Sequence, residues 1–325
     1  MTETTETYSS LTATHRRRHP VVDFMVRLVR EKPLGTVGAI IVLVIFFVGI
    51  FSEFVAPYEL SEMHLTARML PPGGMWLLGT DMLGHDMFSQ IIYGARVSMI
   101  VGLSATAISA ALGAVIGLTS GYIGGKFDLV VQRFVDAWVC FPTLVIYLTL
   151  IGLIGSGYVQ LICVLGIGGG IGGSRGARAL VFWIKESVYF DSTRCIGSTT
   201  PRVIFRHVLP NVLPMLIVSW TMSIGGYILA EAGLSFLGLG LPPEVPSWGG
   251  MISGSNASHL ESAPWLVLWP GIALTVTIFG LNMFGDALRD LLDPRMRGGI
   301  GGIGGRGEKL ARKALAKKQA KVEKA

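Results

Sequence analysis

Apolar residues in this chain gather in long charge-free blocks, and polar residues gather between them. From Pro33 to Ser52 no charge interrupts the run. About 20 such residues in a helix cross a hydrocarbon core of about 30 Å. Five more blocks follow: about 97–125, about 129 to the turn Gly155-Ser156-Gly157, Tyr158 to about Ser174 with room to continue into the basic stretch beyond, about 208–230, and about 264–285. A charge at a membrane-helix centre costs roughly 2.5–3.5 kcal/mol, so blocks this empty point to lipid rather than to a soluble core. The pattern predicts an all-α membrane protein with six transmembrane helices. The five later blocks make a cleaved leader the poorer reading of the first one.

Charge fixes the expected orientation. Only 15% of residues are charged, well below the roughly 25% of soluble domains. Lysine and arginine crowd the segments that fall on one side of six spans. These are Arg27, Arg30 and Lys32, then Lys126 and Arg133, then Arg175, Arg178, Lys185, Arg194, Arg202 and Arg206, and finally Arg289, Arg295 and Arg297. The alternate segments, about 53–95 and 231–263, hold Glu53, Glu59, Glu62, Asp81, Asp86, Glu231, Glu244 and Glu261 against a single Lys or Arg, Arg68. Positive residues stay inside, so both termini are expected in the cytoplasm of a bacterial inner membrane. The net charge of +6 resides in the tail from Arg306 to Lys324, with eight basic and two acidic residues. The body of the chain therefore gives no argument for nucleic-acid binding. That tail suits either anionic lipid or free solvation. Residues 1–14, rich in Thr, Ser and Glu, read as disordered.

One inner loop, 175–211, is too polar to span and strongly patterned. Its centre runs Asp191-Ser192-Thr193-Arg194-Cys195-Ile196-Gly197. A short helix fits 188–196, stopped by Gly197, and Pro201 suits the first turn of the next helix. Such a helix, held between two spans, would serve as a lever for a soluble partner. A plain connector at the membrane surface is an equal reading of the loop taken alone.

This loop resembles the "EAA loop" of ABC importer permeases. Asp191-Ser192-Thr193 stands where Glu-Ala-Ala would be, Gly197 matches, and Leu209-Pro210 matches. Arg206-His207-Val208-Leu209-Pro210-Asn211 is similar to the form found in the dipeptide/oligopeptide/nickel subfamily. Leu78-Gly79-Thr80-Asp81 with Gly84-His85-Asp86 resembles the signature after the first helix of the C-type (second) permease subunit. So do 230–240, Pro246-Ser247-Trp248-Gly249 and 285–295. The likeness spans roughly 29–297. Departures are Asp-Ser-Thr itself, Cys195, His85 in place of arginine, the glycine run 166–173 and the basic tail.

The resemblance implies a type I ABC importer permease fold with a cytoplasmic coupling helix. It divides the chain into a basic start (1–32), a six-helix permease domain (33–297) with coupling loop 175–211, and a Gly-rich linker with basic tail (298–325). It implies a sister permease, one or two ABC ATPase subunits carrying ATP and Mg, and an extracytoplasmic solute-binding protein. No cofactor, metal or catalytic residue is expected on this chain. The coupling residues would be Asp191, Ser192, Thr193, Arg194, Gly197, Arg202, Leu209 and Pro210. Gly79, Thr80, Asp81, Asp86 and Trp248 are candidates for the binding-protein contact. The alternative for these outer segments is a loop that only seals the outer gate.

Other readings fare worse. An ion-coupled carrier places ionisable groups near mid-membrane, and these blocks are nearly empty of them. A purely structural membrane protein does not account for the ordered loop signatures. No nucleophile–base or metal spacing suggests an enzyme. Two runs fit G-x-G-x-x-G, at 168–173 and 299–304, but neither follows a strand; the first suits close helix packing. Small residues Gly102, Ala105, Ser109 and Gly113 suit the same purpose. Glu231 is expected near the outer surface, solvated or lining a gate.

Overall fold

A computed structural model describes residues 20–186 and 198–292, and every regular element among them is helical. Helix α1 (Pro20–Glu31) precedes α2 (Pro33–Ile50). A short turn, Ser52–Val55, leads into an outer segment without regular structure. Helix α3 (Met87–Ile123), α4 (Gly125–Val139), α5 (Thr143–Ile154) and α6 (Tyr158–Lys185) follow. After the gap come a helical turn at Thr200–Val203, a π-turn at Ile204–Val208 and α7 (Leu209–Phe236). Then come α8 (Trp248–Ile252), a short turn at Gly254–Ser258, and α9 (Trp265–Leu292).

Four helical stretches are long and apolar enough to cross a membrane: Pro33–Ile50, Met87–Ile123, Thr200–Phe236 and Trp265–Leu292. Helices α4 and α5, bent by 83° at the break between them, pass the same test of length and composition only when taken together. The third predicted block is thus not one straight helix. Pro142 has no N–H to continue α4 and biases Phe141 away from helix, so the chain turns there and restarts at Thr143. The fourth predicted block is α6, which continues through the basic stretch to Lys185. Glycine dilutes its apolar content. The second block begins at Met87 rather than near 97, because Asp86 caps the helix earlier: its carboxylate accepts the Ser89 N–H at 2.8 Å. At 37 residues α3 is about 55 Å long, so it extends beyond the hydrocarbon at one end or both.

Helices α3 and α6 form the most extensive pair. Small residues let their backbones approach. A Cβ on Gly113 would lie 3.1 Å from the Gly170 carbonyl oxygen, and one on Gly170 would lie 2.9 Å from Leu112 Cβ. Gly166 meets Ile108 and Gly121 meets Val181 in the same way. The expected packing role of Gly102 also holds, against Ile228 of α7. Around this seam Leu118, Val181, Val203, Val208 and Val212 form one buried cluster, and Val101, Ile151, Leu161, Leu165 and Leu234 form another. Helix α2 lies on α9, where a side chain at Gly38 would strike Gly280 and Phe284 backbone atoms at 2.7–2.8 Å.

Ion pairs mark the two ends of the bundle. At the basic end Lys32 pairs with Asp290 at 2.5 Å, Arg178 with Asp128, and Arg175 with Asp136. At the opposite end Arg96 pairs with Glu53 at 2.7 Å. The expected Arg133–Asp136 pair is present at 3.5 Å, but Arg175 holds that carboxylate more closely, at 2.5 Å.

Candidate functional site

The basic end is built around the segment that re-enters the bundle after the loop. Pro201 sits in the first turn of Thr200–Val203, as its fixed φ and missing donor favour. Val203, Ile204 and Val208 are buried against Leu118 of α3 and Ala177, Val181 and Ile184 of α6. The opposite face leaves Arg202 and Arg206 exposed, with Phe205 70% exposed between them. Next comes the π-turn, in which Leu209 N–H reaches back to the Ile204 carbonyl. Pro210 cannot donate and would crowd the carbonyl four residues earlier, so the wider turn relieves it. Leu209 packs on the cluster and Pro210 is exposed. Of the predicted coupling residues, Arg202, Leu209 and Pro210 therefore share one foot. Asp191, Ser192, Thr193, Arg194 and Gly197 lie outside the described residues.

The spans flanking the foot are tied together. Arg178 Nε and Nη2 donate to the two oxygens of Asp128 at 2.7 and 2.5 Å, and its guanidinium lies 4.5 Å from the Phe182 ring centre. Ser120 donates to the same carboxylate at 2.6 Å. Lys185 Nζ donates to the Gly121 and Tyr122 carbonyls at 2.8 and 2.5 Å. A cation there satisfies the last carbonyls of α3 and its dipole. The foot thus packs on α3 and α6 and continues into α7, and α6 is tied to α4 through Arg178 and Asp128.

The opposite end explains the first signature. Thr80 is fully buried: its hydroxyl donates to the Ala67 carbonyl at 2.5 Å and accepts the Leu70 N–H at 2.8 Å. Asp81 accepts the N–H groups of Leu83 and His85 at 2.8 and 2.7 Å and meets the His85 ring at 2.7 Å. Gly84 has φ +86 and lies against the His64 carbonyl, so two independent constraints demand glycine. Gly79, at φ +85, sits under Trp265. Asp86 caps α3 through both the N–H and the hydroxyl of Ser89. Trp248 is 2% exposed, donates to the Ile91 carbonyl at 3.0 Å and fills the space that Gly94 leaves. Thr80, Asp86 and Trp248 are thus internal struts of the outer segment, and only Asp81 among the five has a partly open side chain. Exposed apolar side chains here include Met63, Leu65, Met75 and Leu77, 52–74% exposed, interleaved with exposed Glu62, Thr66 and Arg68.

Replacing Asp86 by alanine removes a cap and leaves the α3 N-terminus open. A loss of about 1 kcal/mol is expected, with Asp86→Asn close to wild type. Thermal melting of the purified protein in detergent checks this.

Glu231 departs from its expected setting. It is fully enclosed, accepts the Ser235 hydroxyl at 2.7 Å through one oxygen, and its second oxygen has no partner. Gly249 packs closely on the neighbouring Ala232. The folding of 237–249 back over the helix buries it.

Phe205 escaped the reading of the sequence. The available signal was an aromatic residue between two arginines, outside any apolar block. No cluster of three or more His, Cys, Asp or Glu suited to a metal exists among the described residues.

A bundle of apolar helices with a tied basic foot and a braced outer segment defines an integral membrane transport subunit. Residues 113–298 match the family described as the binding-protein-dependent transport system inner membrane component, and residues 22–72 match the N-terminal TM domain of oligopeptide transport permease C. The chain belongs to that permease family. It is 34% identical over 268 residues to the dipeptide transport system permease protein DppC of Alkalihalophilus pseudofirmus, covering 82% of this chain and 88% of the relative. The di/tripeptide transport system permease protein DppC of Pseudomonas aeruginosa is 35% identical over 266 residues, 80% and 88% of the two chains. The oligopeptide transport system permease protein OppC of Bacillus subtilis is 34% identical over 275 residues, 85% and 90%. The chain is a permease subunit of a binding-protein-dependent ABC transport system, resident in the inner membrane.

Proposed function

We propose that this subunit imports peptides, pairing with a sister permease to enclose the path. Six spans cross the membrane with both termini in the cytoplasm. One or two separate ATPase subunits bind ATP and Mg and press on the 175–211 loop, while an extracytoplasmic binding protein delivers solute to the other end. Neither cofactor nor catalytic group is needed on this chain. The names of the relatives support the peptide assignment. The observation that carries the coupling role is the foot, whose apolar side is locked into α3 and α6 while Arg202, Phe205 and Arg206 face outward. Interfaces are enriched in aromatic residues and arginine, and this surface carries both. The apolar surface of Met63, Leu65, Met75 and Leu77 supports the binding-protein contact at the outer end. ATP binding then biases an equilibrium between inward- and outward-open states.

The test is uptake and ATPase activity in proteoliposomes holding the whole importer. Arg194→Glu, Gly197→Pro and a Phe205→Ser, Arg202→Glu double variant are expected to insert normally. Each should lose at least tenfold in uptake per ATP hydrolysed. Unchanged uptake with unchanged ATPase activity in all of them contradicts the coupling assignment.

A further inference from the structure

A cavity of about 380 Å³ opens between α3, α6 and α7 and extends to the inner end of α9. Its volume lies within the range of small-ligand sites. Its polar lining is Ser109, Ser219, Ser223, Tyr227 and Arg289, with Trp220 beside them. Three of the four hydroxyl protons are already spent, and Ser109 keeps its own. Tyr227 donates to Ser109 at 2.6 Å, Ser219 to the Met215 carbonyl at 3.1 Å, and Ser223 to the Ser219 carbonyl at 2.8 Å. Serine oxygens retain lone pairs, so this wall accepts hydrogen bonds and suits ligand N–H groups. Arg289 is different. It is exposed, makes no ion pair or hydrogen bond among the described residues, and offers five donors. Its neighbour Asp290 is engaged by Lys32. No acid lines the cavity.

An acceptor wall with one free guanidinium at its inner end matches a molecule carrying N–H groups and a terminal anion. We infer that this cavity is the chain's share of the solute path and holds a short peptide by its free C-terminal carboxylate on Arg289. The assignment rests on the peptide-import reading. The guanidinium binds carboxylate in bidentate geometry, and the serines accept from the peptide amides. Hydroxyls on an otherwise apolar helix also have a reason to face this space rather than lipid.

The experiment uses the assembled importer, with Cys140, Cys163 and Cys195 replaced by serine and Ser223→Cys introduced. Ser219→Cys serves as a second reporter should the first fail to assemble. Thiol modification is timed with an anionic and a cationic methanethiosulfonate reagent of equal size. The anionic reagent is expected to react faster. Arg289→Gln should lower the anionic-to-cationic rate ratio about fivefold or more, and Arg289→Lys should largely preserve it. A tripeptide with a free carboxylate should slow labelling more than its C-terminal amide does, and Arg289→Gln should abolish that difference. Equal protection by both peptides, or none, overturns the inference. Protection that follows phosphatidylglycerol content rather than peptide makes this a lipid site and also overturns it. Reaction only with membrane-permeant neutral reagents places the serines against lipid and does the same. ATP-driven peptide uptake by the parent assembly, measured alongside, separates the two readings. Uptake without protection sinks the cavity assignment alone, whereas no uptake sinks the import reading and this inference with it.

Discussion

Arg178→Ala is expected to destabilise the protein by about 3 kcal/mol, the scale for stripping one partner from a largely buried ion pair. Asp128 would keep its charge in a site with 11% side-chain exposure and only the Ser120 hydroxyl to answer it. Loss of the stacking on Phe182 adds to the cost. Arg178→Ala combined with Asp128→Ala should be less unstable than the sum of the two single changes, because the stranded carboxylate disappears. Thermal melts in detergent check this. A double variant as unstable as the sum of the two single changes would contradict this account of the pair.

Gly117→Leu is the second large effect. A Cβ at Gly117 would strike the Ser174 carbonyl oxygen, lie 2.6 Å from Ala177 Cβ and 2.9 Å from the Arg178 nitrogen. Two of these three are backbone atoms of α6, which cannot step aside as a side-chain end can. Overpacking typically costs about 1–3 kcal/mol, and here the helices must separate along the most extensive seam of the bundle. Separation also pulls Arg178 away from Asp128. Gly117→Leu should therefore abolish recovery of folded protein, and Gly117→Ala should weaken it. Gly152→Ala is the matched control, since a Cβ there meets nothing within 4 Å. Size-exclusion profiles of the three variants decide the matter. A monodisperse Gly117→Leu protein would mean that α3 and α6 do not pack through this glycine.

The blocks of apolar residues were legible because lipid forbids charge all along a span, and that prohibition leaves its mark in local sequence. Bends and ends were less so. The break between α4 and α5 had a local cause, Pro142, within a run that otherwise read as continuous. The early start of α3 also had a local cause, Asp86, which caps the helix through Ser89 three residues on. The signatures around Thr80, Asp86 and Trp248 were recognisable, but their work was not. Two of them are held by residues at least ten positions away: Thr80 by Leu70 and Ala67, Trp248 by Gly94 and Ile91. That the side chains of Thr80, Asp86 and Trp248 lie inside is not visible in the spacing of the motifs. Glu231 failed for the same reason, because the fold-back of 237–249 that encloses it is a long-range event. The foot was nearer to reach. Pro201 and Leu209-Pro210 announced it, and only the outward aromatic Phe205 went unnoticed.

The most direct test of the central claim is purification in mild detergent through a tag on this chain, with mass spectrometry of whatever accompanies it. A second multi-span permease and one or two ATPases should follow in stoichiometric amounts. Arg202→Glu with Phe205→Ser should release the ATPases while keeping the permease. If the intact, folded chain purifies alone or only with copies of itself, the importer account is contradicted.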